Sequence, residues 1–146
     1  MWHKNSWIIF GSDRPSTLAS GYGADGAQKA NTIDIVTGRL SSVDGGYGPP
    51  GGTYVNPNIC SDAARIYISE MTDIDTNFGL ANGRRIGNKT GASAIGVKAD
   101  GIRVHGLNGV KIVTGKMQGC RGTPDGDTTA LGGKLGPAPA IELIAG

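Results

Sequence analysis

Residues 101–115, GIRVHGLNGVKIVTG, contain two alternating segments, each opened by glycine and set eight residues apart. Aligning Gly101 with Gly109 matches Ile102 to Val110, Val104 to Ile112 and Gly106 to Thr114. Such alternation is a strand signal, because successive side chains of a strand point to opposite faces. Ile95 and Val97 extend the pattern upstream with a slightly shorter step. One face then collects Ile95, Val97, Ile102, Val104, Val110 and Ile112, and the other collects Lys98, Arg103, His105 and Lys111. The turns ADG and LNG supply the glycine and asparagine that tolerate positive φ.

Helical periodicity over a dozen residues occurs nowhere in the 146 residues. WIIF (7–10) reads as a first short strand, and TIDIVTGRL (32–40) sets Ile33 and Ile35 against Asp34 and Val36. TYV (53–55) and ARIYISEM (64–71) follow, the second with Ile66 and Ile68 on one face and Arg65 and Tyr67 on the other. A helix starting at Ser61 or Asp62 is the alternative for 64–71, but β-branched and aromatic residues favour a strand. Residues 11–31 and 41–52 carry turn signals and read as loops, and 73–79, DIDTNFG, reads as a turn. IDIVTGRL (33–40) and VKIVTGKM (110–117) echo one another. The expected fold is mainly β: short strands with Gly-rich loops, as a β-meander or an intertwined β-helical segment near 93–117, in one module spanning 1–146.

Glycine and proline make up 33 residues (26 + 7), about 23% against a usual ~12%. Aromatic residues are only 5%. A core of so few aromatics is thin, so stability is expected to draw on backbone pairing, small-residue packing or other subunits. Three short strands bury too little to stand alone, and copies from several chains would hide their edges.

The net charge of +2 is unevenly spread. Residues 84–121 hold eight Lys and Arg against Asp100 alone, whereas 60–82 hold Asp62, Glu70, Asp73 and Asp75 against Arg65. Lys98, Arg103 and Lys111 in adjacent rows repel one another, so something acidic is expected opposite them. The segment 62–75, from this chain or a neighbour, supplies it. The interface candidates are therefore Lys98, Arg103, Lys111, Asp73 and Asp75. A nucleic-acid reading of the basic face lacks stacking aromatics and any binding motif.

Chemical motifs are incomplete. GYGADG (21–26) matches G-x-G-x-x-G but lacks the strand before it and the helix after it that a dinucleotide site needs. DIDTNFG places Asp73, Asp75 and Asn77 at alternate positions like a calcium loop, yet Phe78 stands where glycine is required and Arg84 where a bidentate Glu is required. An EF-hand is excluded, and an Asx-rich turn is preferred to a looser cation site. His3 and His105 are the only histidines, too few for a zinc enzyme in one chain. No nucleophile elbow and no carboxylate in an apolar setting is found, so neither an enzyme nor a cofactor is expected. Cys60 and Cys120 do not form a disulfide framework, and two buried free thiols are preferred to a single bridge. MWHKNSWIIF is too short in its apolar run for a signal peptide or a membrane span, so no membrane partner is expected. The tail GGKLGPAPAIELIAG ends on an apolar run, which implies packing against another element or cleavage from a longer product.

The octad segment resembles the β-helical shafts of phage central spikes and related secretion-system spikes over residues 93–117. A plain antiparallel meander carries the same DG and NG turns, and both arrangements stay open. The Gly-rich loops, ARIYISEMTDIDTNFG and SAIGVKADGIRV are similar to virion proteins of tailed phages. The resemblance implies a non-enzymatic homo-oligomer of the tail, baseplate, spike or capsid surface, assembled in the host cytoplasm. Its partners would be copies of itself and other virion proteins. The alternative is a small β binding module for carbohydrate or a protein, with Tyr22, Tyr47 and Tyr54 as exposed rings.

Overall fold

The computed structural model describes residues 5–13, 30–115, 128–130, 132–134 and 140–145. The sequence pattern of short β-branched runs yields four strands: β1 (Ser6–Asp13), β2 (Ala30–Thr37), β3 (Ala64–Thr72) and β4 (Ala92–Lys98). They pair in chain order as one antiparallel sheet, a meander. The fold is mainly β, as the alternation predicts, with one short helix, α1 (Ile74–Phe78), and a 3₁₀ turn (Asp44–Gly46). β1 is longer than WIIF, running on through Gly11 to Asp13, because its backbone finds a partner in Asn31 and Ala30 of β2.

Two expectations fail locally. Residues 53–55 form no strand, and Tyr54 is fully exposed. Pro49, Pro50 and Pro57 flank that stretch, and proline removes the N–H groups that a ladder would use. DIDTNFG is a single helical turn rather than an irregular one. Gly79 closes α1 in the left-handed conformation (φ 61°), with its N–H donated to Asp75 and Thr76 carbonyls.

Register fixes the two faces. Ile8, Ile35, Ile66 and Val97 stand side by side across the four strands, and Phe10, Ile33, Ile68 and Ile95 form the next row. The opposite face carries Trp7 and Ile9, then Asp34 and Val36, then Arg65 and Tyr67, then Gly96 and Lys98. This second face is the covered one. The β2–β3 connection lies over it through Ile59 and Asp62, both 1% exposed. α1 lies over it through Phe78, whose ring is 6.2 Å from that of Tyr67. Gly96 makes that approach possible: a Cβ there would collide with the Phe78 ring and stand 2.9 Å from Ile74 Cδ1.

The buried side of the sheet is held by charge as much as by apolar packing. Arg65, 2% exposed, donates from Nη2 to Asp62 Oδ2 at 2.7 Å. Its Nε lies 3.1 Å from Asp34 Oδ1, a contact of opposite charges. Asp62 also accepts the N–H groups of Leu40 (2.9 Å) and Asn58 (3.0 Å), so one carboxylate ties the connection to the sheet. The hydrogen bonds to both Asp62 oxygens offset part of the cost of burying that carboxylate. At the other edge, Arg39 stacks its guanidinium 4.1 Å from the centre of the Trp7 ring.

Candidate interaction surface

The face opposite this network is apolar and open. Ile8, Phe10, Ile35, Ile66, Ile95 and Val97 are 40–75% exposed. Ile33 and Ile68 are half-buried. The two rows run unbroken across all four strands. Polar pairs bound them at both ends: Ser6 Oγ and Thr37 Oγ1 are 2.9 Å apart, and Asn31 Nδ2 donates to Glu70 Oε2 at 2.8 Å. An apolar centre with a hydrogen-bonded polar rim is the anatomy of an interface. Contiguous apolar patches of this extent are rare on monomers.

Residues 101–115 continue the same surface. They join none of the four strands, though Gly109 donates its N–H to the Gly106 carbonyl (3.3 Å) at the LNG turn, with Gly109 at φ 107°. Ile102, Val104, Val110 and Ile112 are 53–76% exposed. Ile102 borders a trough of about 580 Å³ whose floor includes Ile8, Ile35, Ile66 and Val97. The octad therefore begins where the sheet face ends. The alternation expected over 93–117 forms a strand ladder among the described residues only as far as Lys98.

The five interface candidates occupy different settings. Lys98 Nζ donates to the carbonyls of Ile59 (2.8 Å), Cys60 (3.0 Å) and Asp62 (2.6 Å) on the covered face. Its charge is spent on the backbone that opens the acidic segment rather than on a carboxylate. Arg103 and Lys111 are exposed on the octad. Asp73 Oδ1 accepts Gly91 N–H (2.7 Å) and Asp75 Oδ2 accepts Lys89 N–H (2.7 Å), so both pin the loop that leads into β4. Asn77 Nδ2 donates to Thr72 Oγ1 at 2.9 Å. Among the described residues no three His, Cys, Asp or Glu side chains gather as metal ligands. No helix of these residues is long and apolar enough to cross a membrane.

Cys60 is a free thiol and exposed, not buried as expected, because it sits in the turn between Asn58 and Asp62 whose side chains and backbone are otherwise engaged. Tyr47 and Tyr54 are exposed, and His105 is exposed. GYGADG with Tyr22, His3 and Cys120 lie outside the described residues. Sequence reasoning found the apolar rows but not which face they would occupy. Asp34, Asp62 and Arg65, two anions and one cation from separate segments, pair on the covered face.

No protein-family model matches the chain, and neither a curated protein nor a solved structure matches it.

Proposed function

We propose that the chain is a non-enzymatic structural subunit that assembles with copies of itself, in the phage-virion setting its texture resembles. The observation that carries this reading is the eight-residue apolar face left open while the charged network is covered. Full burial of one such side chain contributes about 1.5–3 kcal/mol. Eight of them, already partly covered, supply on the order of 10 kcal/mol gross, which sits within the ~4–15 kcal/mol cost of association. The sheet face alone is marginal. Ile102, Val104, Val110 and Ile112 tip the balance, and pairing of 101–115 with a neighbouring chain extends the sheet beyond Lys98. Charges on Arg103 and Lys111 then orient the copies more than they hold them.

Light scattering after size exclusion tests this. Wild type is expected to run as a homo-oligomer. Ile66→Asp is expected to run as a monomer that keeps its β circular dichroism. A wild-type chain that stays monomeric as concentration rises a hundredfold overturns the proposal.

A further inference from the structure

The segment 140–145 lies against the loop 79–91, which contains no helix or strand. Glu142 Oε1 accepts the N–H groups of Arg84 (2.9 Å) and Arg85 (2.8 Å), and Oε2 accepts that of Ile86 (2.8 Å). Three successive backbone N–H groups thus converge on one carboxylate, an anion-binding nest. A trough of about 260 Å³ adjoins it, lined by Leu80, Ile86 and Ile144 with Asp75 and Asn88. Gly83 leaves room both for the carboxylate and for the loop's own turn, since a Cβ at that position would collide with Glu142 Oε2 and with the Ile86 carbonyl oxygen. The rest of the loop is held the same way, with Lys89 N–H on Asp75 and Gly91 N–H on Asp73.

We propose that the nest formed by Arg84, Arg85 and Ile86 is a binding site for a peptide carboxylate, and that the chain's own tail occupies it as a strap released when Glu142 is protonated. A carboxylate accepts from three N–H groups at once; a carboxylic acid gives up that capacity and places a proton against donors. The hydrogen bonds to Ile86, Arg85 and Arg84 hold the Glu142 carboxyl below its usual range, in that order of weight for the first two. A depressed folded-state value means that docking is fully present above the ordinary carboxylate range and is lost as pH falls through the lowered value. Arg84 and Arg85 reach Glu142 through their backbone N–H groups, and the charged side chain that shares the trough with it is Asp75, itself engaged by the Lys89 N–H. Release therefore frees segment 140–145 from the loop 79–91, while Asp73 and Asp75 still hold the approach to β4.

Amide exchange on the full chain, corrected for the intrinsic pH dependence of exchange, tests the site independently of self-association. Wild type is expected to protect the Arg84, Arg85 and Ile86 amides at pH 7 and to lose that protection toward pH 3. Glu142→Ala is expected to lower it about tenfold or more at pH 7, the scale of a lost charge-assisted hydrogen bond. Glu142→Gln, which keeps the side chain's size and one acceptor oxygen but carries no charge, should lower it by less and leave it flat with pH, and β3 amides should be unchanged in both variants. Protection that stays at the wild-type level in Glu142→Ala, or that is flat with pH in wild type, overturns the strap.

Discussion

Arg65 and Ile66 are chain neighbours on β3 with opposite fates. The arginine is buried against two carboxylates, and the isoleucine is 41% exposed. The same inversion runs across the whole sheet. Trp7, Val36, Tyr67 and Gly96 look toward α1 and the β2–β3 connection, while Ile8, Ile35, Ile66 and Val97 look outward. The covered face is where the single chain obtains its stability. The open face holds apolar area that the single chain does not use. The sheet thus has one covered, charged side and one open, apolar side.

Substitutions on the two faces should therefore break different properties. The largest effect belongs to Arg65→Ala, which leaves Asp34 and Asp62 buried without their cation. About 3–5 kcal/mol is expected to be lost, a large part of the roughly 5–15 kcal/mol of a small domain, and denaturant unfolding of the variant measures it. Its neighbour Ile66, replaced by Asp, should change oligomer size while the secondary structure stays. Equal loss of folded β signal in both variants would erase the distinction between the faces.

A smaller effect is expected at Gly96→Val. The new side chain meets the Phe78 ring and Ile74, so α1 must lift off Tyr67. Overpacking of this kind costs about 1–3 kcal/mol. Thermal melting should report the loss, and near-ultraviolet dichroism should report the altered tyrosine environment. Gly96 is on the covered face, so the apolar rows and the oligomer should persist at temperatures below the new midpoint. The smallest effect is Trp7→Phe. It keeps a ring under Arg39 but a weaker π surface, and about 0.5–1 kcal/mol is expected from a double-mutant cycle with Arg39.

The four strands were legible because WIIF, IDIV, ARIYISEM and AIGVK alternate or run β-branched over lengths that only strands favour. Their order could not be read from composition, and the connections 14–29, 38–63 and 73–91 are long enough for other paths, but consecutive strands more often than not lie side by side. The burial of the polar face was not legible from β3 alone, since Arg65–Tyr67 and Ile66–Ile68 alternate equally well. It depends on Asp62 arriving from the connection and on Asp34 arriving from β2, both long-range events. The Glu142 clasp left no trace either, because its partners are backbone N–H groups, which every residue but proline carries. Lys98 read with Arg103 and Lys111 as a basic face awaiting an acidic partner; the carbonyls of Ile59, Cys60 and Asp62 that hold it belong to a turn whose geometry one-dimensional spacing does not reveal.

The Arg65 network has one more consequence, for the alternatives that this sequence must avoid. The side-chain period of a strand is two, so shifting β3 by a single residue exchanges its faces completely. Here both faces would still alternate, and Ile66 and Ile68 would bury well beneath α1. Apolar matching alone therefore discriminates weakly between the correct alignment and its slipped rival. The slip would, however, carry Arg65 to the outer side and leave Asp34 and Asp62 facing one another under the connection with no counter-ion. Two unneutralised carboxylates in that position oppose the slipped form strongly. The three charges thus act as a key cut for one alignment, and in this sheet it is ions rather than oil that decide which side is the inside.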